Sequence, residues 1–124
     1  MEIRFCNLEH EQRFQSVCDK MKFYTNVESL DEYHLPVAYL IALDKIVYSH
    51  QNDVFDFAED VIMLDGIYQA WQTGTTRNTT RLLFNLWNGH VDDNPCNSSV
   101  NEIFCCSYAP YYYEAVKLRY PDYA

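Results

Sequence analysis

One stretch near the middle of the chain limits the folds that it can adopt. Residues 37–43 (VAYLIAL) form the longest uninterrupted apolar run, and a helix built from them is apolar on nearly every side. A surface helix has one apolar face, whereas a helix that is apolar all round must be surrounded by other elements. We therefore expect a helix that Ser29 or Asp31 opens, with Pro36 near its start, and that runs through the middle of the core. The run is much shorter than the roughly 20 residues that cross a bilayer, so no membrane span is expected.

The other regular patterns are those of short helices. After Asn7, a suitable helix-capping residue, apolar side chains recur at three- and four-residue steps. Patterns of this kind predict further helices at residues 8–23, 44–50, 61–72, 77–88 and 110–120. The helix at 77–88 is the best defined and is expected to end at Gly89. Since strand patterns are nearly absent, we predict an all-α fold: a single compact domain of five to seven short helices over residues 1–124.

Acidic and basic residues are separated along the chain. Residues 28–65 contain nine acids and one base, Lys45, whereas residues 66–91 contain no acid. The net charge is −9, which disfavours nucleic-acid binding by the whole surface, because that binding depends on cations that neutralise phosphates. An acidic surface instead suits a protein partner with a basic groove, although acidity can also serve solubility alone. The candidate partner-binding acids are Glu28, Asp31, Glu32, Asp53, Asp56, Glu59 and Asp60.

A small basic island follows the acidic stretch. The predicted order of helix, short turn and helix at about 61–89 is similar to a helix-turn-helix pair, whose second helix reads DNA bases. Polar side chains repeat along one face of that second helix, where they could contact DNA, a phosphate or an acidic protein patch. The alternative is that Arg77 and Arg81 pair within the chain with the acidic stretch of residues 28–65. The candidate residues are Arg77, Asn78, Arg81 and Asn85.

Cysteine and histidine form one grouping of the kind that binds metal. Zinc prefers thiolate and imidazole ligands, and it would stabilise a loop-rich C-terminal half. The predicted zinc ligands are His90, Cys96, Cys105 and Cys106, and the alternative is that these cysteines are free thiols. The N-terminal residues are too polar for a signal peptide, and the cysteine count is odd. We therefore expect a cytoplasmic protein without a disulfide framework.

The sequence offers no motif of a known catalytic site. It contains no glycine-rich phosphate loop, no G-x-S-x-G turn and no H-E-x-x-H helix. We therefore predict that the chain is not an enzyme.

Two long stretches and one short one resemble a known family. Residues 71–90 read WQTGTTRNTTRLLFNLWNGH, residues 102–123 read EIFCCSYAPYYYEAVKLRYPDY, and residues 9–14 follow the pattern EH-x-x-RF. They are similar to the signature stretches of a domain-of-unknown-function family of short Firmicutes proteins carried on conjugative elements and phages. The resemblance covers nearly the whole chain and supplies no activity and no site residues.

The resemblance implies a setting, which is a mobile genetic element inside a bacterium. Small acidic proteins of such elements are often inhibitors of host defence, such as anti-CRISPR proteins that occupy the nucleic-acid groove of a nuclease. The first hypothesis is therefore an acidic interaction protein that inhibits a defence nuclease. The alternatives are a helix-turn-helix-like DNA-binding regulator and a small zinc-stabilised protein.

Overall fold

The computed structural model describes residues 2–123, and in this range it confirms the all-α fold with seven α-helices. The helices are α1 (Leu8–Thr25), α2 (His34–Leu43), α3 (Lys45–Ser49), α4 (Gln51–Val54), α5 (Gly74–Asn88), α6 (Val100–Ile103) and α7 (Ala109–Arg119). Two short strands, β1 (Phe55–Asp56) and β2 (Val61–Ile62), pair antiparallel. Single 3-10 turns lie at Leu64–Tyr68, Pro95–Ser98 and Pro121–Tyr123. None of the helices within residues 2–123 is both long and apolar enough to cross a lipid bilayer.

Helix α2 is the centre of the core, as its apolar run predicts. Every residue from Pro36 to Leu43 is buried. Helices α1, α5 and α7 all pack against α2, so its apolar sides are covered from several directions. The start of α2 lies nearer the surface, since His34 and Leu35 are half-buried and residues 31–33 before them are exposed.

Helix α1 is held to α2 by a buried histidine. Asn7 caps α1, because its side chain accepts a hydrogen bond of 2.8 Å from the backbone N–H of His10. The Nδ1 atom of His10 accepts from the backbone N–H of Cys6 at 3.0 Å, so Nε2 carries the proton and donates to the carbonyl of Tyr39 at 3.0 Å. Burial lowers the pKa of His10 to about 4, and the ring is therefore neutral at physiological pH. His10 has a structural role, which the sequence pattern did not reveal.

Helix α5 begins earlier than predicted and ends where predicted. Thr73 and Thr76 form a reciprocal capping box at its start, and Gly89 ends it with a φ of 79°, a left-handed value that glycine adopts easily. The buried hydroxyls of Thr79 and Tyr112 are hydrogen-bonded at 2.6 Å and join α5 to α7. One face of α5 therefore belongs to the core.

The helix expected at residues 61–72 is not an α-helix. The backbone N–H of Met63 donates to the carbonyl of Val54 at 2.8 Å, which extends the short strand pairing. Gly66 then lies so close to the preceding chain that a Cβ at this position would be 2.2 Å from the carbonyl oxygen of Asp53. These contacts with distant residues override the local helical pattern. The helix-turn-helix-like pair at 61–89 is thus reduced to its second helix, preceded by a 3-10 turn.

Candidate functional site

Two surface loops bring five of the predicted acidic residues together. One loop joins α1 to α2, and the other joins β1 to β2. His34, the first residue of α2, links the loops, since its Nδ1 lies 2.8 Å from Asp31 Oδ1 and its Nε2 lies 2.7 Å from Asp60 Oδ1. We call this surface the acidic face, and it consists of Asp31, Glu32, Asp56, Glu59 and Asp60.

The two carboxylates determine the charge of His34. A neutral imidazole has one N–H and can donate to only one carboxylate, whereas an imidazolium can donate to both. Burial by itself lowers the pKa of His34, but the hydrogen bonds and negative charges of Asp31 and Asp60 outweigh burial and raise it. For Asp31, burial is likewise outweighed by hydrogen bonds from His34 and Tyr33, so its pKa is lowered. The two carboxylates therefore favour the protonated form of His34 within the acidic face.

Backbone contacts fix the acids of the acidic face. Asp31 Oδ1 accepts from the backbone N–H groups of Tyr33 and His34 at 3.0 and 2.9 Å, in the turn that opens α2. In the other loop, Asp56 Oδ1 accepts from the backbone N–H of Glu59 at 3.0 Å. The side chains of Glu32 and Glu59 are exposed and make no hydrogen bond within residues 2–123. The acidic face therefore combines carboxylates held in place with carboxylates that are free to meet a partner.

Two cations lie beside the acidic face and bind aromatic rings instead of carboxylates. The ammonium of Lys20 is 4.1 Å from the ring centre of Phe57, and the guanidinium of Arg119 is 3.9 Å from that of Tyr33. Because Lys20 and Arg119 contact rings, the cation that pairs with acids of the acidic face within residues 2–123 is His34, when it is protonated. Neither Lys20 nor Arg119 forms an ion pair with the acidic face in the part of the chain that the structure describes.

Two of the predicted acids do not belong to the acidic face. Asp53 accepts a hydrogen bond of 2.9 Å from the indole N–H of Trp71, near the 3-10 turn at Leu64–Tyr68. Glu28 is exposed in the loop between α1 and α2, and within residues 2–123 its side chain forms no ion pair.

The polar face of α5 is occupied by contacts within the chain. Arg81 Nε donates to Asp92 Oδ2 at 2.6 Å, and both side chains are largely buried. Asn78 and Asn85 donate to backbone carbonyls of Glu102 and His90, each at 3.3 Å. These contacts fasten the segment of residues 89–104 to α5. Arg81 therefore pairs within the chain, as the alternative proposed, but its partner Asp92 lies outside the acidic stretch of residues 28–65.

Arg77 differs from Arg81 in its partner. Its Nε donates to the carbonyl of Ile67 at 3.3 Å, and no carboxylate within residues 2–123 forms an ion pair with it. DNA reading through α5 stays a prediction, and it would require Asn78, Arg81 and Asn85 to leave the contacts that hold the 89–104 segment.

Comparison with known families decides where the chain belongs. A family described as "Family of unknown function (DUF6075)" matches residues 1–124. The chain belongs to this family. No curated protein and no solved structure matches this chain. The function of this DUF6075 protein is therefore inferred from its own residues.

The four residues expected to bind zinc are not brought together in this DUF6075 protein. No three His, Cys, Asp or Glu side chains within residues 2–123 are grouped so that they could hold a metal ion. Cys96 and Cys105 are exposed while Cys106 is half-buried, so the adjacent cysteines have different surroundings. Zinc binding by His90, Cys96, Cys105 and Cys106 therefore stays a prediction, which the positions of the side chains within residues 2–123 do not support.

Sequence reasoning identified the acids of the site but missed the residue that joins them. Asp31 and His34 are three positions apart, a spacing that places side chains together in the first turn of a helix. That local signal was available in the sequence. The contact with Asp60 was not, because it depends on how β1 and β2 pack beside the start of α2.

Proposed function

We propose that this protein is a small acidic interaction protein that docks through the acidic face onto a basic surface of a protein partner. The observation that carries the proposal is the joining of two acidic loops by His34, whose nitrogens lie 2.8 and 2.7 Å from the two carboxylates. Charges held in fixed positions require less ordering when a partner binds, so they contribute more to affinity.

The charge of the whole chain favours the same partner chemistry. A net charge of −9 attracts a cationic surface over a distance limited by the Debye length, about 8 Å at physiological salt. Complementary charge accelerates association and selects among partners more than it adds raw affinity. A partner with a basic groove would therefore associate faster and be preferred over other proteins, and proteins that handle nucleic acids carry such grooves.

We further propose a class of partner. The protein is an inhibitor encoded by a mobile genetic element, and it occupies the nucleic-acid groove of a host defence nuclease such as a CRISPR nuclease. Support comes from the sign of the charge and from the resemblance of the sequence to short proteins of such elements. Carboxylates in the groove replace the phosphates that the nuclease normally binds.

A competition experiment tests this proposal. Purified protein is added to a panel of CRISPR nucleases loaded with guide RNA, with and without target DNA, and both binding and DNA cleavage are measured. We expect binding only when the groove lacks DNA, with loss of cleavage. Affinity should fall by roughly tenfold or more as salt rises from about 0.05 M to about 0.5 M. Binding that ignores both salt and DNA, or no binding to any nuclease, contradicts the proposal.

DNA reading by α5 has less support from the geometry. A gel-shift with the promoters of the encoding element, repeated with Arg77→Ala and Arg81→Ala, distinguishes it from the proposed function. Sequence-specific binding that both substitutions weaken would favour the regulator.

A further inference from the structure

An apolar pocket lies directly beside the acidic face. Its volume is about 340 Å³, at the lower end of the range for ligand pockets. Its walls come from the N-terminal segment, the loop before α2, α2 itself and the end of α7. The apolar lining residues are Ile3, Leu30, Leu35, Leu118 and Pro121.

Two acids of the acidic face also line this pocket. Asp31 and Glu32 are its charged lining residues, and no lysine or arginine lines it in the part of the chain that the structure describes. An anionic occupant is therefore disfavoured, and a cation beside an apolar group is favoured. Because the pocket has few polar groups apart from these carboxylates, it offers little to orient a polar small molecule.

The pocket is built from fixed parts. Leu118 is 4% exposed and packs into the core on one side while it lines the pocket on the other. Asp31 is held by its hydrogen bonds to Tyr33 and His34. A site that exists before binding requires less ordering when it is filled.

We propose that this pocket receives one large apolar side chain, such as leucine or methionine, from a protein segment whose neighbouring residues are lysine or arginine. The inference rests on the proposed function, because it specifies what the acidic face recognises in its partner. The apolar side chain fills the pocket while the flanking cations meet Asp31 and Glu32. Interfaces commonly depend on one such buried anchor surrounded by polar contacts.

Two synthetic peptides of equal charge test the inference. One has a single leucine flanked by lysine and arginine, and the other has serine in place of that leucine. Each is titrated into the protein while NMR records the methyl signals of Leu30, Leu35 and Leu118. We expect the leucine peptide to bind about tenfold tighter or more and to shift these signals, because it buries an apolar side chain.

Two substitutions in the same loop provide a matched comparison. Leu30→Ser changes the wall of the pocket, whereas Val27→Ser changes an exposed apolar residue that does not line it. We expect Leu30→Ser to abolish the preference for the leucine peptide and Val27→Ser to keep it. Loss of the preference with both variants would overturn the inference.

The outcomes separate the pocket from the acidic face. Equal binding of the two peptides, with shifts confined to the acidic face, would overturn the pocket inference and leave the proposed function standing. Failure of both peptides to bind would overturn the inference and would also count against the proposed function, since the acidic face would not hold cations.

Discussion

His34 connects carboxylates that the sequence keeps far apart. Asp31 is three residues before it and Asp60 is 26 residues after it, yet both carboxylates lie within hydrogen-bond distance of the same ring. Removing the proton from one ring nitrogen costs one of the two carboxylates its hydrogen bond from the ring. The geometry of the acidic face is therefore coupled to the protonation of a single side chain.

The pH dependence of stability follows from the direction of each pKa shift. The pKa of His34 is raised, so His34 stabilises the folded protein. This contribution to the free energy of unfolding is complete below the ordinary value of 6.5 and is lost as pH rises through the raised pKa. His10 affects stability at lower pH. Because its pKa is lowered to about 4, the free energy of unfolding decreases as pH falls from about 6.5 to about 4. We expect the free energy of unfolding to fall as pH rises above 6.5, because a deprotonated His34 can donate to only one of the two carboxylates.

Urea unfolding at several pH values above 6.5 measures this effect. The variant His34→Gln should lack the decrease, whereas His50→Gln, at a histidine outside the acidic face, should keep it. An equal decrease in all three proteins would show that His34 is not its source.

Gly66 is required by a close approach of two chain segments. A Cβ at this position would be 2.2 Å from a backbone oxygen, and backbone cannot move aside as a flexible side chain can. We expect Gly66→Ala to destabilise the protein by roughly 1–3 kcal/mol through overpacking. Gly74→Ala is the matched control, since nothing lies within 4 Å of the added Cβ, and it should stabilise by about 0.4–1 kcal/mol or be neutral. Equal free energies of unfolding for the two variants would contradict this account of Gly66.

At the scale of elements, the patterns of single helices predicted the fold well. Asn7 marked the start of α1, Gly89 marked the end of α5, and the apolar run predicted a buried α2. These features depend on neighbouring residues, so a sequence displays them. The segment from 61 to 72 was mistaken for a helix because its structure depends on Val54 and Asp53, which pack against it from another part of the chain.

The site was predictable to the same extent. The sequence displayed which residues are acidic, but not that Asp53 would turn to Trp71 or that Asp60 would meet His34. The polar face of α5 was recognised, whereas its use in fastening a loop needed the positions of Asp92 and Glu102. The sequence shows which side chains can form hydrogen bonds and ion pairs, but the partner of each one is determined by tertiary packing.

The attachment of residues 89–104 to α5 depends most on Arg81. Its ion pair with Asp92 is short, and the side chains are only 17% and 15% exposed. We expect Arg81→Ala to reduce the free energy of unfolding by roughly 1–3 kcal/mol, because it leaves a largely buried carboxylate without its partner. Hydrogen exchange of the amides in residues 89–104 should become faster.

Lys117 provides the control. Its ammonium lies 3.4 Å from Glu114 Oε1, and Lys117 is 55% exposed whereas Glu114 is 6% exposed. Because Glu114 Oε2 also accepts from the backbone N–H of Arg4 at 3.0 Å, the carboxylate keeps a donor in Lys117→Ala, which should cost less than Arg81→Ala. If the 89–104 amides exchange at the same rate in Arg81→Ala and in the unchanged protein, α5 does not fasten this segment through Arg81.

At the scale of the whole molecule, a core centred on α2 determines the fold, and in the proposed function the acidic face determines the partner. Helix α2, surrounded by α1, α5 and α7, fixes the positions of the loops. The net charge of −9 would attract cationic surfaces wherever the acids lay, but only acids grouped in one place select a particular docking orientation. The central claim is therefore that binding depends on the acidic face and not on total charge.

Two double variants of identical net charge test that claim. Glu32→Lys with Glu59→Lys reverses two exposed acids of the acidic face, and Asp93→Lys with Glu102→Lys reverses two exposed acids elsewhere. The measurement is the affinity of each for guide-loaded CRISPR nucleases, relative to the unchanged protein. The account predicts a loss of about tenfold or more for the first variant and less than about twofold for the second. Equal losses in both, or no loss in the first, would contradict it.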